Sequence, residues 1–329
     1  MGCKRKHSSD DSPLSISSFG AVSTPGTQSP PCSSFNQYAP MELDAQPRSN
    51  GWDFMSASRV KSGDWGNRTC KRVRDNRPDE RAIHEDPDID FVVFCGKQVP
   101  ETMREILRKD GATVIGFEDV LVPPWIHTPT ERWTEQFTKL RIFEQTQYSR
   151  ILYLDADYLI MNRMDGIFNE PNVADLTRTM FQDRTDLIKE DEEPLPEEWL
   201  FAARPENGGM GGYEHPVPPL NGDYANGGFL MIAPQQGMFD YLMRVLNIKD
   251  RFRTQFMEQD LLNYVFSRKG PMPWRELHWK WSSNFVNQRD FDAGIHALHG
   301  KFWDEGPESV QKVWQDTFQK MIERDAARQ

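Results

Sequence analysis

The sequence predicts an α/β fold built on a parallel sheet and preceded by a disordered tail. From about residue 89 onward, apolar strand-like runs alternate with amphipathic helical runs, as they do in parallel sheets with helical crossovers. The chain of 329 residues is long enough to bury one large core. Residues 1–88 lack any hydrophobic period and are dominated by Ser, Pro, Gln, Asn and charge, a composition that cannot offset the entropy of ordering. We therefore predict a low-complexity tail over 1–88 that is dispensable for folding, and a folded domain over 89–329.

The folded region begins with a strand, helix, strand, helix, strand order. The run FVVFC at 91–95 is typical of a buried strand, and the helix after it begins at Pro100 and ends before Gly111. The next predicted elements are a strand at 112–117, a helix at 130–148 and a strand at 150–154. After them come a loop-rich stretch over 170–222, a strand at 227–234 and helices at 235–247 and 258–268.

Charge and hydropathy exclude several classes of protein. Lys and Arg number 39 against 50 Asp and Glu, for a formal net charge of -11, which argues against a general nucleic-acid-binding protein. No run approaches the roughly 20 apolar residues of a membrane helix, and the N-terminus lacks the apolar run of a secretory signal. We therefore expect a cytoplasmic enzyme without a membrane span, in which a phosphorylated ligand would need a local cation.

Two aspartates directly follow the strand RILYL, at the strand end where ligands bind in parallel α/β sheets. Asp155 and Asp157 are two residues apart, and two carboxylates about 5 Å apart repel by roughly 3 kcal/mol at an effective dielectric constant of about 20. A divalent cation is the simplest relief of that repulsion, and hard oxygen ligands favour Mg²⁺ or Mn²⁺. The alternative, from these residues alone, is that the D-x-D pair caps a strand at a surface turn.

The sequence around these aspartates resembles the core of glycosyltransferase family 8, the group that contains glycogenin and galactinol synthase. The resemblance begins in the stretch FTKLRIFEQTQYSRILYLDADYLIMNRMDGIF. Further on, YANGGFLMIAP is similar to the family's Asn-Ser-Gly strand, MEQDLLNYVF to its Asp-Gln helix start, and HALHGKFW to its closing His-to-Lys-Trp motif. These motifs occur in the family's order over residues 90–303.

The resemblance implies a Rossmann-like nucleotide-diphospho-sugar transferase fold with a mixed, mostly parallel sheet over 89–329. It also implies a hexosyltransferase that binds a UDP-sugar donor through Mn²⁺, or Mg²⁺, and transfers the sugar with retention of anomeric configuration. The acceptor would be a carbohydrate, a polyol or a protein. The donor sugar, the acceptor and the oligomeric state are left open by the sequence.

The resemblance makes Asp155 and Asp157 metal ligands, together with a histidine of the closing motif. Two histidines compete for that third position. His296 lies five residues before Lys301, which matches the commoner family spacing, whereas His299 lies only two residues before it. We therefore predict His296 as the ligand and keep His299 as the alternative.

Donor contacts are implied for residues on either side of the metal. Lys301 would contact the diphosphate, with Gly300 beside it and Ala156 between the two aspartates. Lys139 would approach the donor from the helix before the D-x-D strand. A solvated lysine is the structural alternative for both Lys139 and Lys301.

The candidate catalytic residues implied by the resemblance are Asn226, Glu258 and Gln259. Asn226 and Gly228 match the Asn-Ser-Gly motif, in which a small residue lets the backbone approach the ligand, and Gly227 replaces the Ser. Glu258 and Gln259 align with the Asp-Gln pair near the transferred sugar, and the longer Glu puts its sugar contact in doubt. An ordinary glycine turn and an acidic helix N-terminus are the structural alternatives.

The chain departs from the family at its beginning. Members normally open with a strand and helix that grip the uridine, and the sequence before Asp90 contains no such unit. One interpretation is that the chain has lost its nucleotide pocket and is a degenerate, inactive scaffold. Alternatively, the sequence is incomplete at that end, or residues from elsewhere substitute for the missing unit.

Two further functions share parts of this sequence pattern. Aspartyl phosphohydrolases also place D-x-D after an apolar strand, but they usually carry Thr or Val where this chain has Leu159, and they place the motif at the first strand. Lectin-like sugar binding is the non-enzymatic alternative. Turnover of a UDP-sugar with Mn²⁺ distinguishes a transferase from all of these functions.

Overall fold

The structure is a computed structural model that describes residues 52–58, 89–128 and 131–327. Apart from the segment 52–58, the predicted tail lies outside these described residues. Its disorder therefore stays a prediction.

The described chain forms strands of very different length and burial. In chain order they are β1 (Trp52–Ser58), β2 (Ile89–Cys95), β3 (Thr113–Gly116), β4 (Arg150–Asp155), β5 (Tyr158–Ile160), β6 (Thr177–Arg178), β7 (Glu198–Trp199), β8 (Phe201–Pro205), β9 (Ala225–Ile232), β10 (Arg275–Glu276), β11 (Ser282–Asn284) and β12 (Ala297–His299). The main sheet has seven of these strands, in the order β10-β8-β9-β4-β1-β2-β3.

Five strands of the main sheet run in one direction and two, β1 and β9, run in the other. Both β1 and β9 are antiparallel to each of their neighbours, whereas β2 with β3 and β8 with β10 pair in parallel. The predicted mixed sheet of an α/β fold is thus confirmed, but it is less parallel than expected, because only two of its six neighbouring strand pairs are parallel.

β1 is the main difference from the expected organisation. It lies in the middle of the sheet, where Asp53 pairs with Phe94 of β2 on one side and with Asp155 of β4 on the other. The surrounding sequence is polar, so no hydrophobic alternation marked this segment as a strand. The expected domain boundary at residue 89 is corrected here, because the main sheet includes residues 52–58 of the predicted tail.

A second, three-stranded sheet has the order β11-β12-β5. β12 is parallel to β11 and antiparallel to β5, with Ala297 opposite Ile160 and His299 opposite Tyr158. The closing segment of the sequence therefore folds back beside the D-x-D turn, as expected.

Helices surround the sheets at most of the predicted positions. The α-helices are α1 (Glu101–Lys109), α2 (Pro171–Ala174), α3 (Gln236–Asn247), α4 (Met257–Val265), α5 (Gln288–Asp292) and α6 (Glu308–Ala327). The helix predicted at 130–148 is a 3₁₀ helix over Glu131–Glu144. Among the described residues, no helix has both the length and the hydropathy needed to cross a bilayer.

β4 is buried on both faces, as strands between two covering layers are. Ile151 and Tyr153 point into a core shared with the 3₁₀ helix, α3 and α4, while Leu152 and Leu154 point into a second core on the opposite face. Burying each such side chain contributes about 1.5–3 kcal/mol. The strand is therefore a rigid base for Asp155, its last residue.

Candidate functional site

The turn between β4 and β5 brings two carboxylates and one imidazole together. Asp155 ends β4, Asp157 precedes β5, and the pairing of β12 with β5 adds His299. One ligand atom from each of these three residues lies within 4.8 Å of the others. His299 Nε2 is 2.9 Å from Asp157 Oδ1 and 3.9 Å from Asp155 Oδ2. The predicted strand-end pair thus has a third polar partner.

That partner is His299, so the prediction of His296 as the metal ligand is wrong. His296 directly precedes β12. It lies at the end of the β12–β5 pair that is farther from the aspartates. Its Nδ1 lies 2.6 Å from the carbonyl oxygen of Arg163, and its ring contacts that of Trp281 with 4.6 Å between centroids. Three residues of extended chain span about 10 Å, so only one of the two histidines can reach the cluster.

The two carboxylate oxygens of Asp155 have different surroundings. Oδ1 accepts a hydrogen bond from the Tyr153 hydroxyl at 2.8 Å and lies 3.0 Å from Lys139 Nζ. Oδ2 is directed toward His299. One oxygen is thus anchored by the protein, and the other faces the cluster.

Lys139 is a buried cation that connects the 3₁₀ helix, β9 and α4. Its Nζ lies 2.7 Å from Glu258 Oε1 and donates a hydrogen bond to the Gly227 carbonyl at 3.1 Å. Burial raises the pKa of Glu258, although the charge and hydrogen bond of Lys139 oppose that shift. Since both side chains are buried, removing one partner would leave the other as an uncompensated buried group.

Side-chain hydrogen bonds to backbone hold the beginnings of β9 and α4 together. Gln259 Oε1 accepts from the Gly227 N–H at 2.6 Å, and Asn226 Oδ1 accepts from the Gly228 N–H at 2.9 Å. Asn226 Nδ2 donates to Glu206 Oε2 at 2.8 Å. Because β9 is antiparallel to β4, these residues lie at the same sheet edge as the aspartates.

Gly228 is the position where the site requires the absence of a side chain. A Cβ atom there would lie 2.7 Å from Asp155 Oδ2 and 2.8 Å from His299 Cε1. Contacts this short force the neighbouring groups to move. The backbone of β9 can therefore approach the cluster only because this residue is a glycine.

The other predicted donor residues lie on turns beside the cluster. The Gly300 N–H donates to the Asp157 carbonyl at 3.1 Å, which joins the turn after β12 to the D-x-D turn. Lys301 is exposed at the next position, and Ala156 is exposed in the D-x-D turn.

Electrostatics couple His299 to both aspartates. Burial opposes ionisation of Asp157, but the hydrogen bond and charge of His299, with a smaller contribution from Lys301, lower the pKa of Asp157 to about 2. Burial likewise disfavours a charged His299, yet the hydrogen bond to Asp157 and the charges of both aspartates raise the pKa of His299. The neighbouring carboxylates thus favour the protonated imidazole, and a cation bound through that imidazole would compete with its proton.

Three residues that contact the cluster or its ligands were not predicted from the sequence. The Tyr158 ring stacks on His299 with 4.5 Å between centroids, and its hydroxyl lies 3.1 Å from Ser282 Oγ. Tyr153 anchors Asp155, and Glu206 anchors Asn226. Glu206 directly follows β8, so a prediction of that strand would have marked it as a strand-end carboxylate.

Comparisons with known proteins find relatives of the chain but no matching family profile. An uncharacterized protein of Schizosaccharomyces pombe is 29% identical over 251 residues, covering 68% of this chain and 65% of that protein. Galactinol synthase 4 of Arabidopsis thaliana is 30% identical over 191 residues, covering 54% of this chain. The chain spans about half the length of that synthase, 52%. A solved structure, mouse xyloside xylosyltransferase 1 in its apo form, aligns with a TM-score of 0.38 and 13% identity over 63% of this chain and 82% of that one, a likeness too distant to support an inference.

Proposed function

The chain is related to the galactinol synthases of glycosyltransferase family 8, and from this relationship and the site geometry we propose that it is a metal-dependent, retaining glycosyltransferase. The donor is a UDP-sugar from which a hexose is transferred. The observation that carries the proposal is the cluster of Asp155, Asp157 and His299, whose ligand atoms lie within 4.8 Å of one another at the carboxyl end of β4.

The donor set of the cluster suits a divalent cation. Carboxylate oxygens are hard ligands, and the imidazole of His299 shifts the preference from Mg²⁺ toward Mn²⁺. Gly228 adds no side chain to the space beside Asp155 Oδ2. A bound cation would offset the charge of the departing diphosphate.

The two lysines of the site have different roles in this proposal. Lys301 is exposed beside the D-x-D turn, where its ammonium group would contact the diphosphate as a point charge. Lys139 is buried against Asp155 and Glu258. Its role is to position these carboxylates, and its contact with the donor is indirect.

The transferred hexose would lie against Asn226, Glu258 and Gln259. Hydrogen bonds to the backbone of β9 fix Asn226 and Gln259. Glu258 Oε2 is buried and has no hydrogen-bond partner among the described residues, which suits an oxygen that accepts from a sugar hydroxyl. These groups would orient an oxocarbenium-like sugar while the acceptor attacks the face from which UDP leaves.

Release of UDP from UDP-glucose and UDP-galactose tests the proposed function. The purified chain is incubated with each donor in Mn²⁺ or in EDTA, and UDP is quantified with and without candidate acceptors. We expect Mn²⁺-dependent release of UDP, and we expect Asp155→Asn to reduce that release by at least about tenfold. Even the loss of a residue that only hydrogen-bonds to a metal ligand typically lowers metal affinity or activity by that factor. Nuclear magnetic resonance of the product at early times reports retention at the anomeric carbon.

Two results would contradict the proposal in different ways. Turnover that is equal in Mn²⁺ and EDTA would remove the metal from the reaction. Mn²⁺-dependent binding of UDP without any turnover would favour the degenerate scaffold.

A further inference from the structure

Tyr158 is the first residue of β5, directly after the D-x-D turn, and its ring stacks on the imidazole of His299. The two ring centroids are 4.5 Å apart, and the ring planes differ by 16°. Tyr158 lies opposite His299 in the pairing of β5 with β12, and directly opposite side chains on neighbouring strands share one face of a sheet. The stack is therefore a consequence of the strand register of the second sheet.

The Tyr158 hydroxyl reaches the third strand of the same sheet. It lies 3.1 Å from Ser282 Oγ, and Ser282 is a buried residue of β11. Because β12 lies between β5 and β11, the Tyr158 side chain extends over the strand that carries His299. The aromatic ring is thus held at one end by the backbone of β5 and at the other end by Ser282.

A strand of the main sheet also contacts the Tyr158 ring. The ring of Phe229, in β9, lies 5.7 Å from it between centroids at an interplanar angle of 47°, within the range of favourable aromatic pairs. Phe229 is fully buried and directly follows Gly228, the residue that leaves room for the cluster. Tyr158 therefore contacts both sheets at the edge where the cluster lies.

His299 faces both aspartates through one atom. Its Nε2 lies 2.9 Å from Asp157 Oδ1 and 3.9 Å from Asp155 Oδ2. Contacts through a single atom do not fix the tilt of the ring about that atom, and a metal-binding imidazole needs a second group that sets its orientation. The stacked ring of Tyr158 fixes the plane of the imidazole. Since the Tyr158 hydroxyl bonds Ser282, the ring is the part of this side chain that acts on His299.

We propose that Tyr158 is the positioning residue of the cation site, because its ring, anchored by Ser282, keeps the imidazole of His299 in the orientation in which Nε2 faces both aspartates. Tyr158 acts through His299 and contacts neither the cation nor the donor. The inference rests on the proposed function, which requires the cation, and adds to it the residue that orients the third ligand.

Nuclear magnetic resonance of the metal-free chain, labelled at histidine, tests the stack. The ring protons of His299 are identified by their loss in His299→Gln, and a stacked aromatic ring displaces their resonances through its ring current. We expect the displacement to persist in Tyr158→Phe, which keeps the ring, and to be lost in Tyr158→Leu. Identical His299 resonances in the wild type and Tyr158→Leu would overturn the inference without involving the metal.

Binding of Mn²⁺ tests the consequence of the stack. Electron paramagnetic resonance of free Mn²⁺ gives the affinity, and electron spin echo modulation detects the coupling of the imidazole nitrogen to bound Mn²⁺. Tyr158→Leu should weaken binding by at least about tenfold, the usual loss for a residue that orients a metal ligand, and should reduce the nitrogen coupling. Tyr158→Phe and Ser282→Ala both remove the hydroxyl bond and keep the ring, so both should show a smaller loss.

Tyr241→Leu is the matched control for a general loss of stability. Tyr241 is a buried tyrosine of α3 whose hydroxyl donates to Glu192 at 3.2 Å and not to the cluster. This variant should lower the thermal midpoint, measured by circular dichroism, and keep the Mn²⁺ affinity and nitrogen coupling of the wild type.

The outcomes separate this inference from the proposed function. Equal Mn²⁺ affinity and nitrogen coupling in the wild type and Tyr158→Leu overturn the inference and leave the proposed function standing. Equal losses of affinity in Tyr158→Leu and Tyr241→Leu also overturn it, because lost stability would then explain both. A wild-type chain that binds no Mn²⁺ overturns the proposed function, and the inference with it.

Discussion

The two strands that flank β4 in the main sheet are specified in different ways. β9 is buried at all eight of its positions and carries a recognisable motif. β1 is a short segment, WDFMSAS, within the mostly polar sequence of the predicted tail, and it pairs with β4 on one side and β2 on the other. Both strands are antiparallel to β4. A short apolar run inside a polar sequence can therefore form a central strand when two neighbours supply its hydrogen-bond partners.

The two flanks also differ in what depends on them. β9 brings Gly228 and Asn226 to the aspartates, so it determines the geometry of the cluster. β1 is the strand through which β2 and β3 join the rest of the described sheet. A change in β9 should thus affect ligand binding first, whereas a change in β1 should affect folding first.

The largest expected effect is that of a proline in β1. Ser56 pairs with Phe91 and with Leu152, so Ser56→Pro should cost about 3 kcal/mol or more. That corresponds to a fall in the thermal midpoint of about 6–12 °C, measured by circular dichroism. Ser17→Pro, in the predicted tail, is the matched control and should leave the midpoint unchanged. Equal midpoints for the two variants would show that β1 does not belong to the sheet.

A smaller effect is expected from a single methyl group in β9. Gly228→Ala should displace Asp155 or His299, at a cost of about 1–3 kcal/mol for overpacking, and should weaken Mn²⁺ binding. A Cβ at Gly237 in α3 would meet nothing within 4 Å, so Gly237→Ala should raise stability by up to about 1 kcal/mol. Urea unfolding and Mn²⁺ titration measure the two quantities. Normal Mn²⁺ affinity in Gly228→Ala would refute the role of β9 at the cluster.

The smallest expected effect separates the two histidines of the closing segment. His299→Ala should weaken Mn²⁺ binding by at least about tenfold. His296→Ala should change it by less than about twofold, because this side chain bonds the Arg163 carbonyl instead. Electron paramagnetic resonance of free Mn²⁺ gives both affinities. The reverse order of effects would restore His296 as the ligand.

The sequence predicts the elements whose own hydrophobic pattern matches the place they take in the fold. β4, β9, α3 and α4 each carry their own hydrophobic period or motif, and Asp155 and Asp157 follow from their position after β4. β8 was missed because FAARP is buried at all five positions, which removes any alternation, and contains small and charged residues. β1 was missed because its short apolar run is surrounded by the polar and charged sequence of the predicted tail.

The third residue of the cluster, His299, could not be chosen from the sequence for a different reason. The choice between His296 and His299 depends on the register of β12 against β5, in which His299 lies opposite Tyr158. Spacing from Lys301 says nothing about that register, because it counts residues along the chain and not across the sheet. The stacking of Tyr158 on His299 was unpredictable for the same reason.

Titration calorimetry of UDP into the wild-type chain and into Asp157→Asn, each with Mn²⁺ and with EDTA, tests the central claim most directly. Asp157 lies 2.9 Å from His299 within the three-residue cluster, so its loss should remove one cation ligand while keeping the shape of the turn. We predict Mn²⁺-dependent binding by the wild type, weakened in Asp157→Asn by at least about 1.4 kcal/mol, a factor of ten. Equal affinities of the two proteins for UDP, or wild-type binding unchanged by EDTA, would contradict a cation site that bridges Asp155, Asp157 and His299 to a diphosphate.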